Sequence, residues 1–311
     1  MARVPVILDC DPGIDDAYAI MLLNSCKKID IKAITVVGGN VEINHTLHNA
    51  LGLAELLNMD TRVSKGSAGP LINKLKTAAE IHGANGLGGI SLKARQVKPD
   101  TFSAWDVICQ EAEKAGGDLI IVLTGPLTNM AIALLKYPEI KHYIKKIIMM
   151  GGSTDFGNHS AYSEFNIWVD PHAADIVFNS GIPITMAGLN ATRQITMSVE
   201  DLNRLTSVNS TVRAVLLELN SFLAKMYAES GQEPVFTLHD ALAVAKLIDD
   251  GVFTTEKHFV YCETQSIQSF GRTVVDWNNI LGQPANVDVA MKVNTGRFKE
   301  MLAEMVDYYR N

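Results

Sequence analysis

The chain is 311 residues long, 47% hydrophobic and 20% charged, enough for one large domain or two small ones with a sizeable buried core. A net charge of -7, from 27 Lys+Arg against 34 Asp+Glu, argues against nucleic acid or an anionic membrane as partner and favours a small molecule. Cys10, Cys26, Cys109 and Cys262 stand far apart with no CxxC pair, so neither a zinc site nor a disulfide framework is indicated and a reducing cytoplasm is the expected compartment.

The apolar start is broken by acids within a few residues, too soon for a signal-peptide core or a membrane span. Short apolar runs at 4–8, 31–37, 119–123, 144–150 and 182–189 read as buried strands. Between them, 15–24, 44–57, 103–115, 126–136 and 170–179 carry apolar residues at spacings of three and four, as amphipathic helices do. Strand and helix in alternation imply an α/β fold: an open, mostly parallel sheet flanked by helices on both faces. Longer helices at 198–206, 211–230 and 238–248 follow, then strands at 259–264, 273–277 and 287–293 and a C-terminal helix. No linker-like composition divides the chain, so residues 1–311 are expected to form a single domain with a helical C-terminal part.

In such sheets ligands bind beyond the carboxyl ends of the strands. Directly after the first strand comes Asp9-Cys10-Asp11-Pro12-Gly13-Ile14-Asp15-Asp16, four carboxylates in eight residues on a Pro-Gly turn. That much like charge calls for a cation or for protonation. Oxygen donors without neighbouring Cys or His favour a hard ion over zinc. A solvated acidic turn capping the next helix is the plainer alternative, and four acids together weigh against it. An EF-hand is excluded, because Ile14 and Ile20 stand where its Gly and Glu belong, and no glycine-rich phosphate loop follows the strand. A magnesium-dependent aspartyl phosphohydrolase using Asp9 or Asp11 is the runner-up, although Gly13 stands where that class favours Thr or Val.

The same segment, followed by Ala33-Ile-Thr-Val-Val-Gly-Gly-Asn40, resembles the inosine-uridine preferring nucleoside hydrolases. Further motifs recur in that family's order: Ile81-His82-Gly83, Leu123-Thr-Gly-Pro-Leu-Thr-Asn129, Met149-Met-Gly-Gly152, Ser163-Glu-Phe-Asn-Ile167 with Asp170-Pro171, and Leu238-His-Asp240. The likeness spans essentially the whole chain.

The resemblance implies one Ca²⁺ held by Asp11, Asp16, the Thr124 carbonyl and Asp240. The ion would keep a water and accept the ribose 2′- and 3′-hydroxyls, with Asp11 as general base. It also implies ribose contacts from Asp15, Asn40, Met150, Glu164 and Asn166. Taken alone, Asp240 reads equally well as an acid at a helix N-terminus, Asn40 and Asn166 as loop residues, and Met150 as core packing. His82 and His239 are the candidates for proton donation to the departing base, with His239 preferred as general acid because it adjoins Asp240. Residues 82–89 are rich in glycine and suit a mobile lid. Tyr227 matches a base-pocket position, or is one apolar-face residue of a long helix.

Two departures stand out: Asn190 and Arg193 replace the Asp and His that the family often shows after the fifth strand. Residues 231–237, which should border the base, match no specificity subgroup. None of Trp105, Trp168 and Trp277 falls near His82, where the purine-specific subgroup would stack a tryptophan. The expected activity is therefore calcium-dependent hydrolysis of uridine- and inosine-type ribonucleosides to ribose and free base in nucleoside salvage, by a homodimer or homotetramer. A non-catalytic ribose-binding protein is the remaining alternative.

Overall fold

The computed structural model describes residues 3–231 and 235–310. Its centre is a nine-stranded sheet in the order β3-β2-β1-β4-β5-β6-β9-β7-β8. The strands are β1 (Val4–Cys10), β2 (Ile29–Val36), β3 (Arg62–Lys65), β4 (Leu119–Leu123), β5 (Ile144–Met150), β6 (Ile184–Ala187), β7 (Phe253–Cys262), β8 (Thr273–Asp276) and β9 (Val287–Val293). The first six and β9 run parallel, and β7 is antiparallel to both of its neighbours. The open, mostly parallel α/β architecture expected from the sequence is what the chain adopts.

Every residue of β4 is buried, the signature of a central parallel strand covered on both faces. Alternation then sorts side chains between two cores. Val6, Leu8, Ile120 and Val122 join one core, and Ile7, Leu119, Ile121 and Leu123 join the other. Helices α1 (Ile14–Ser25), α2 (Ile43–Leu56), α10 (Arg213–Ser230), α11 (His239–Ile248) and α12 (Thr295–Tyr308) bury their apolar faces in the first core. Helices α4 (Ala104–Ala115), α5 (Thr128–Lys136) and α7 (Pro171–Phe178) cover the second. The remaining α-helices are the one-turn α3 (Ala79–His82), α6 (Phe165–Val169) and α8 (Leu189–Thr192), and α9 (Val199–Ser207).

Three differences from the sequence reading have physical causes. Strand β3 was not expected, because two of its four residues are charged. Arg62 is usable there because its guanidinium bonds Asp100 at 2.6 Å and Glu111 at 2.7 Å beside an edge strand. β7 begins six residues earlier than expected. Its charged first half pairs with β9 while Phe259 to Cys262 pair with β8. The run at 182–189 splits, since Leu189 already opens α8 after Gly188. No disulfide joins the four cysteines, and among the described residues no helix is long and apolar enough to cross a membrane.

Candidate active site

Four adjacent parallel strands, β2, β1, β4 and β5, deliver their carboxyl ends to one place. The turn after β1 and the start of α1 supply Asp11, Asp15 and Asp16, the loop after β2 supplies Asn40, Thr124 directly follows β4, and β5 ends at Met150. The N-terminal ends of α6 and α11 add Glu164 with Asn166 and His239 with Asp240. A cleft of ≈ 280 Å³ opens here, and ten of the twelve expected site residues line it: Asp15, Asn40, His82, Thr124, Met150, Glu164, Asn166, Tyr227, His239 and Asp240.

Asp11 and Asp16 lie beneath that lining, both wholly buried. The Asn40 side-chain amide ties them together, donating to the Asp11 carbonyl at 3.1 Å and to Asp16 Oδ2 at 3.3 Å. Asp16 also accepts from the Gly13 amide at 3.0 Å and from Thr124 Oγ1 at 2.7 Å. Carboxylate oxygens of Asp15, Asp16 and Asp240 fall within 4.8 Å of one another. Asp15, expected at the ribose, therefore stands inside the acidic cluster, while Asp11 lies outside this tightest group of three.

Among the described residues no Lys or Arg forms an ion pair with any of the four. Burial, then repulsion by Asp15, lifts Asp16 to about 7. Burial first and neighbouring carboxylates second push Asp11 and Asp240 well above the usual range. Asp11 Oδ1 and Asp15 Oδ1 are buried without a hydrogen-bond partner. Orphaned oxygens amid unbalanced negative charge are what a hard divalent cation satisfies, so the donor set fits such an ion. The Thr124 carbonyl accepts from Asn166 Nδ2 at 2.8 Å and keeps a second lone pair.

Asp9 is separate from this chemistry. It is wholly buried, and its Oδ2 accepts from Thr35 Oγ1 at 2.6 Å and Asn129 Nδ2 at 2.8 Å. Burial raises it to about 7. It braces β1 against β2 and α5 and does not face the cleft.

Glu164 caps α6, accepting from the amides of Asn166, Ile167 and Gly152 at 2.9, 3.2 and 3.0 Å, and burial brings it to about 7 in spite of those donors. Both cleft histidines are held by their Nδ1 atoms. His82 Nδ1 accepts from the Ile14 amide at 3.2 Å, and His239 Nδ1 lies 2.8 Å from Thr192 Oγ1. Burial lowers the pKa of each. The turn after His82 is packed down: Leu87 is fully buried, and Asn85 accepts from the Leu87 and Gly89 amides.

The sequence reading missed part of the wall. Leu223 and Met226 join Tyr227 on one face of α10, a spacing of three and four that could have revealed them. Phe236 meets Tyr227 edge-on at 5.4 Å between centroids. Of the stretch 231–237, residues 232–234 lie outside the described ones, whereas Phe236 and Thr237 line the cleft. Asn158 and His159 also line it, from a loop that carried no periodic signal. None of the tryptophans lines it among the described residues, and Trp168 instead packs against the His159 ring, tilted by 41° with centroids 3.9 Å apart.

Residues 6–300 match the family model described as inosine-uridine preferring nucleoside hydrolase. The chain belongs to that family. Among curated relatives, the pyrimidine-specific ribonucleoside hydrolase RihA of Escherichia coli O8 (strain IAI1) is 38% identical over 308 residues, covering 98% of this chain and 99% of the relative. The purine-preferring ribonucleoside hydrolase from Gardnerella vaginalis superposes with a TM-score of 0.92 at 34% identity, covering 98% and 99% of the two chains. A plant nucleoside hydrolase, PpNRh1, gives a TM-score of 0.91 at 32% identity with the same coverage. This nucleoside hydrolase is thus an enzyme acting on ribonucleosides, and its acidic cleft lies at the strand ends, where that chemistry was sought.

Proposed function

We propose that this nucleoside hydrolase cleaves the N-glycosidic bond of uridine- and inosine-type ribonucleosides in a calcium-dependent reaction, giving ribose and free base for nucleoside salvage. The observation that carries the reading is the group of buried Asp11, Asp16 and Asp240 with half-buried Asp15 beside them, unpaired with any Lys or Arg among the described residues, at the bottom of a cleft with a polar end and an apolar end. Asp11, Asp16, Asp240 and the Thr124 carbonyl would hold the ion, with Asp15 close enough to join them. Bound there, Ca²⁺ would neutralise the carboxylates, anchor the sugar diol and make a water more acidic.

Net, water adds across the C1′–N bond. Its oxygen joins C1′, one of its protons goes to the Asp11 carboxylate, and the bonding pair leaves with the base, whose ring nitrogen takes a proton from His239 as general acid; the proton released at Asp11 returns through solvent to restore His239. Asp15, Asn40, Glu164 and Asn166 offer acceptors and donors to the ribose hydroxyls, and Met150 packs against the ring. Nearby carboxylates stabilise the positive charge that grows on the sugar. His239, and beside it His82, meet the negative charge growing on the base, between the apolar walls of Tyr227, Phe236 and Leu223. The preference for uridine is supported by the pyrimidine-specific name of the 38% identical relative and by a cleft wall without tryptophan. An aspartyl phosphohydrolase with Asp9 as nucleophile is disfavoured, because Asp9 does not line the cleft and its Oδ2 is taken up by Thr35 and Asn129; with Asp11 as nucleophile it is tested by turnover of a generic phosphate ester. Assembly is proposed as a homodimer or homotetramer, read by light scattering.

The deciding experiment is an initial-rate panel over common ribonucleosides, with calcium and with chelator. Release of reducing sugar from uridine and inosine, lost with chelator and restored by Ca²⁺, is the expected result. Full turnover in chelator would refute the metal dependence.

A further inference from the structure

Thr192 is the last residue of α8, wholly buried, and its side-chain oxygen lies 2.8 Å from His239 Nδ1. A hydrogen bond between a hydroxyl and an imidazole nitrogen can run either way, so the other obligations of the two groups decide its direction. Among the described residues the Thr192 hydroxyl has no second hydrogen-bond partner. If Nδ1 carried the proton and donated, the hydroxyl hydrogen would be stranded in a site closed to water, which buried polar groups avoid. If the hydroxyl donates, both groups are satisfied and the imidazole proton sits on Nε2, the ring nitrogen left for the cleft that His239 lines. His82 repeats the arrangement with a different donor. Its Nδ1 accepts from the Ile14 backbone amide, which can only donate, so its proton is on Nε2 as well. Two cleft-lining histidines therefore each keep an Nε2–H free to donate, with Nδ1 engaged by a donor behind it. A leaving group that gathers electron pairs on ring nitrogen and carbonyl oxygen is matched by donors and not by acceptors.

We propose that Thr192 is a positioning residue for the hydrolysis: its hydroxyl donates to His239 Nδ1 and so holds the imidazole as the Nε2–H form that hydrogen-bonds the departing base. The inference rests on His239 serving the leaving group, and the test separates the two. Calcium-loaded protein labelled with ¹⁵N-histidine, with His239→Gln used to assign the resonance, reports the tautomer directly. Wild type and Thr192→Ser are expected to show an unprotonated Nδ1 and a protonated Nε2, whereas Thr192→Val shows a population protonated at Nδ1. In parallel, Thr192→Val is expected to lose about tenfold in kcat on uridine with little change in KM, to keep its rate on an activated nitrophenyl riboside, and to be rescued by Ser. A wild-type spectrum with the proton on Nδ1 overturns the inference whatever the kinetics, and so does a folded Val variant with unchanged spectrum and rate. Should Val not fold, the wild-type and Ser spectra still decide. Normal uridine turnover by His239→Gln overturns the leaving-group role, and in that case the tautomer is still read from the wild-type spectrum.

Discussion

The backbone amide of Asn40 donates to Asp11 Oδ2 at 2.6 Å, so the loop after β2 orients the carboxylate proposed as general base. Gly39 makes that approach possible, because a Cβ there would overlap Asp11 Oδ2 and come within 2.8 Å of Pro126. Gly39→Ala is expected to push the carboxylate aside and lower kcat by about 100-fold, the lower range for a mispositioned general base. Circular dichroism checks the fold and initial rates on uridine give the answer. A rate within about twofold of wild type would show that the Asn40 contact does not position Asp11.

The function proposed for Asp11 comes at the expense of stability. Its Oδ1 is buried with no partner, and the neighbouring carboxylates repel it. Asp11→Asn keeps the shape, removes a carboxyl that without the ion is buried either charged or protonated at a cost, and is expected to lower kcat by about 1000-fold while raising the unfolding temperature in chelator. Thermal scans of both proteins in chelator check this. A variant that melts lower than wild type would mean that the ion-free cluster is not strained by charge.

The same electrostatics set a pH dependence. Asp16 is lifted from 3.8 to about 7 in the folded protein. A carboxyl raised in this way binds more protons folded than unfolded between those limits, so without metal the stability it contributes is complete below about pH 4 and is lost as pH rises through about 7. Asp11 and Asp240 are raised in the same direction. The proposed Ca²⁺ would replace those protons, so the increase in melting temperature on adding Ca²⁺ is expected to be large at pH 8 and small at pH 5. An increase independent of pH would show that the ion binds elsewhere.

The parts of the molecule that were readable in the sequence share a physical cause. β4 and the second half of β5 announce themselves because parallel strands buried on both faces are nearly uniformly apolar, and the acidic turn announces itself because unpaired charge needs an explanation. What escaped depends on partners far away in the chain. Asp9 and Asp11 look equivalent in the sequence, yet Thr35 and Asn129, 26 and 120 residues from Asp9, hold one of them out of the site. β3 and the first half of β7 are too charged to read as strands, and one-turn helices such as α6 and α8 are too short to show a period. The role assigned to each site residue came from the family resemblance. Residue type and spacing alone left Asn40, Asn166 and Asp240 open to plainer readings.

His239 is proposed to act on the leaving group, so its removal should be felt in proportion to how poor that group is. His239→Ala is expected to slow uridine hydrolysis by about 100-fold and to leave a nitrophenyl riboside nearly untouched, since a stabilised phenolate departs without help. Parallel kcat measurements on the two substrates make the comparison. Equal slowing of both would place His239 in sugar binding or in support of Asp240.

Arg193, one of the two departures from the family pattern, grips the loop that brings Asn158 and His159 to the cleft. Its guanidinium donates to the Phe156 carbonyl at 3.0 Å and the Gly157 carbonyl at 2.7 Å, and it covers the Phe156 ring at 3.8 Å. Beyond that grip Asn158 Oδ1 accepts from the Phe165 amide at 2.9 Å, which seats the loop beside the Glu164–Asn166 end of the cleft. Arg193 touches none of the carboxylates in the acidic cluster, so it should bear on substrate binding more than on bond breaking. Arg193→Ala is expected to raise KM for uridine about fivefold to tenfold with kcat changed by less than about twofold. Arg193→Lys should recover only part of that loss, because an ammonium cannot fork between two carbonyls while stacking on a ring. Hydrogen exchange across residues 155–163 supplies the independent readout, with faster exchange expected in the Ala variant. A kcat defect with unchanged KM would move Arg193 from loop support to the chemistry at His239, whose ring is near enough to feel its charge.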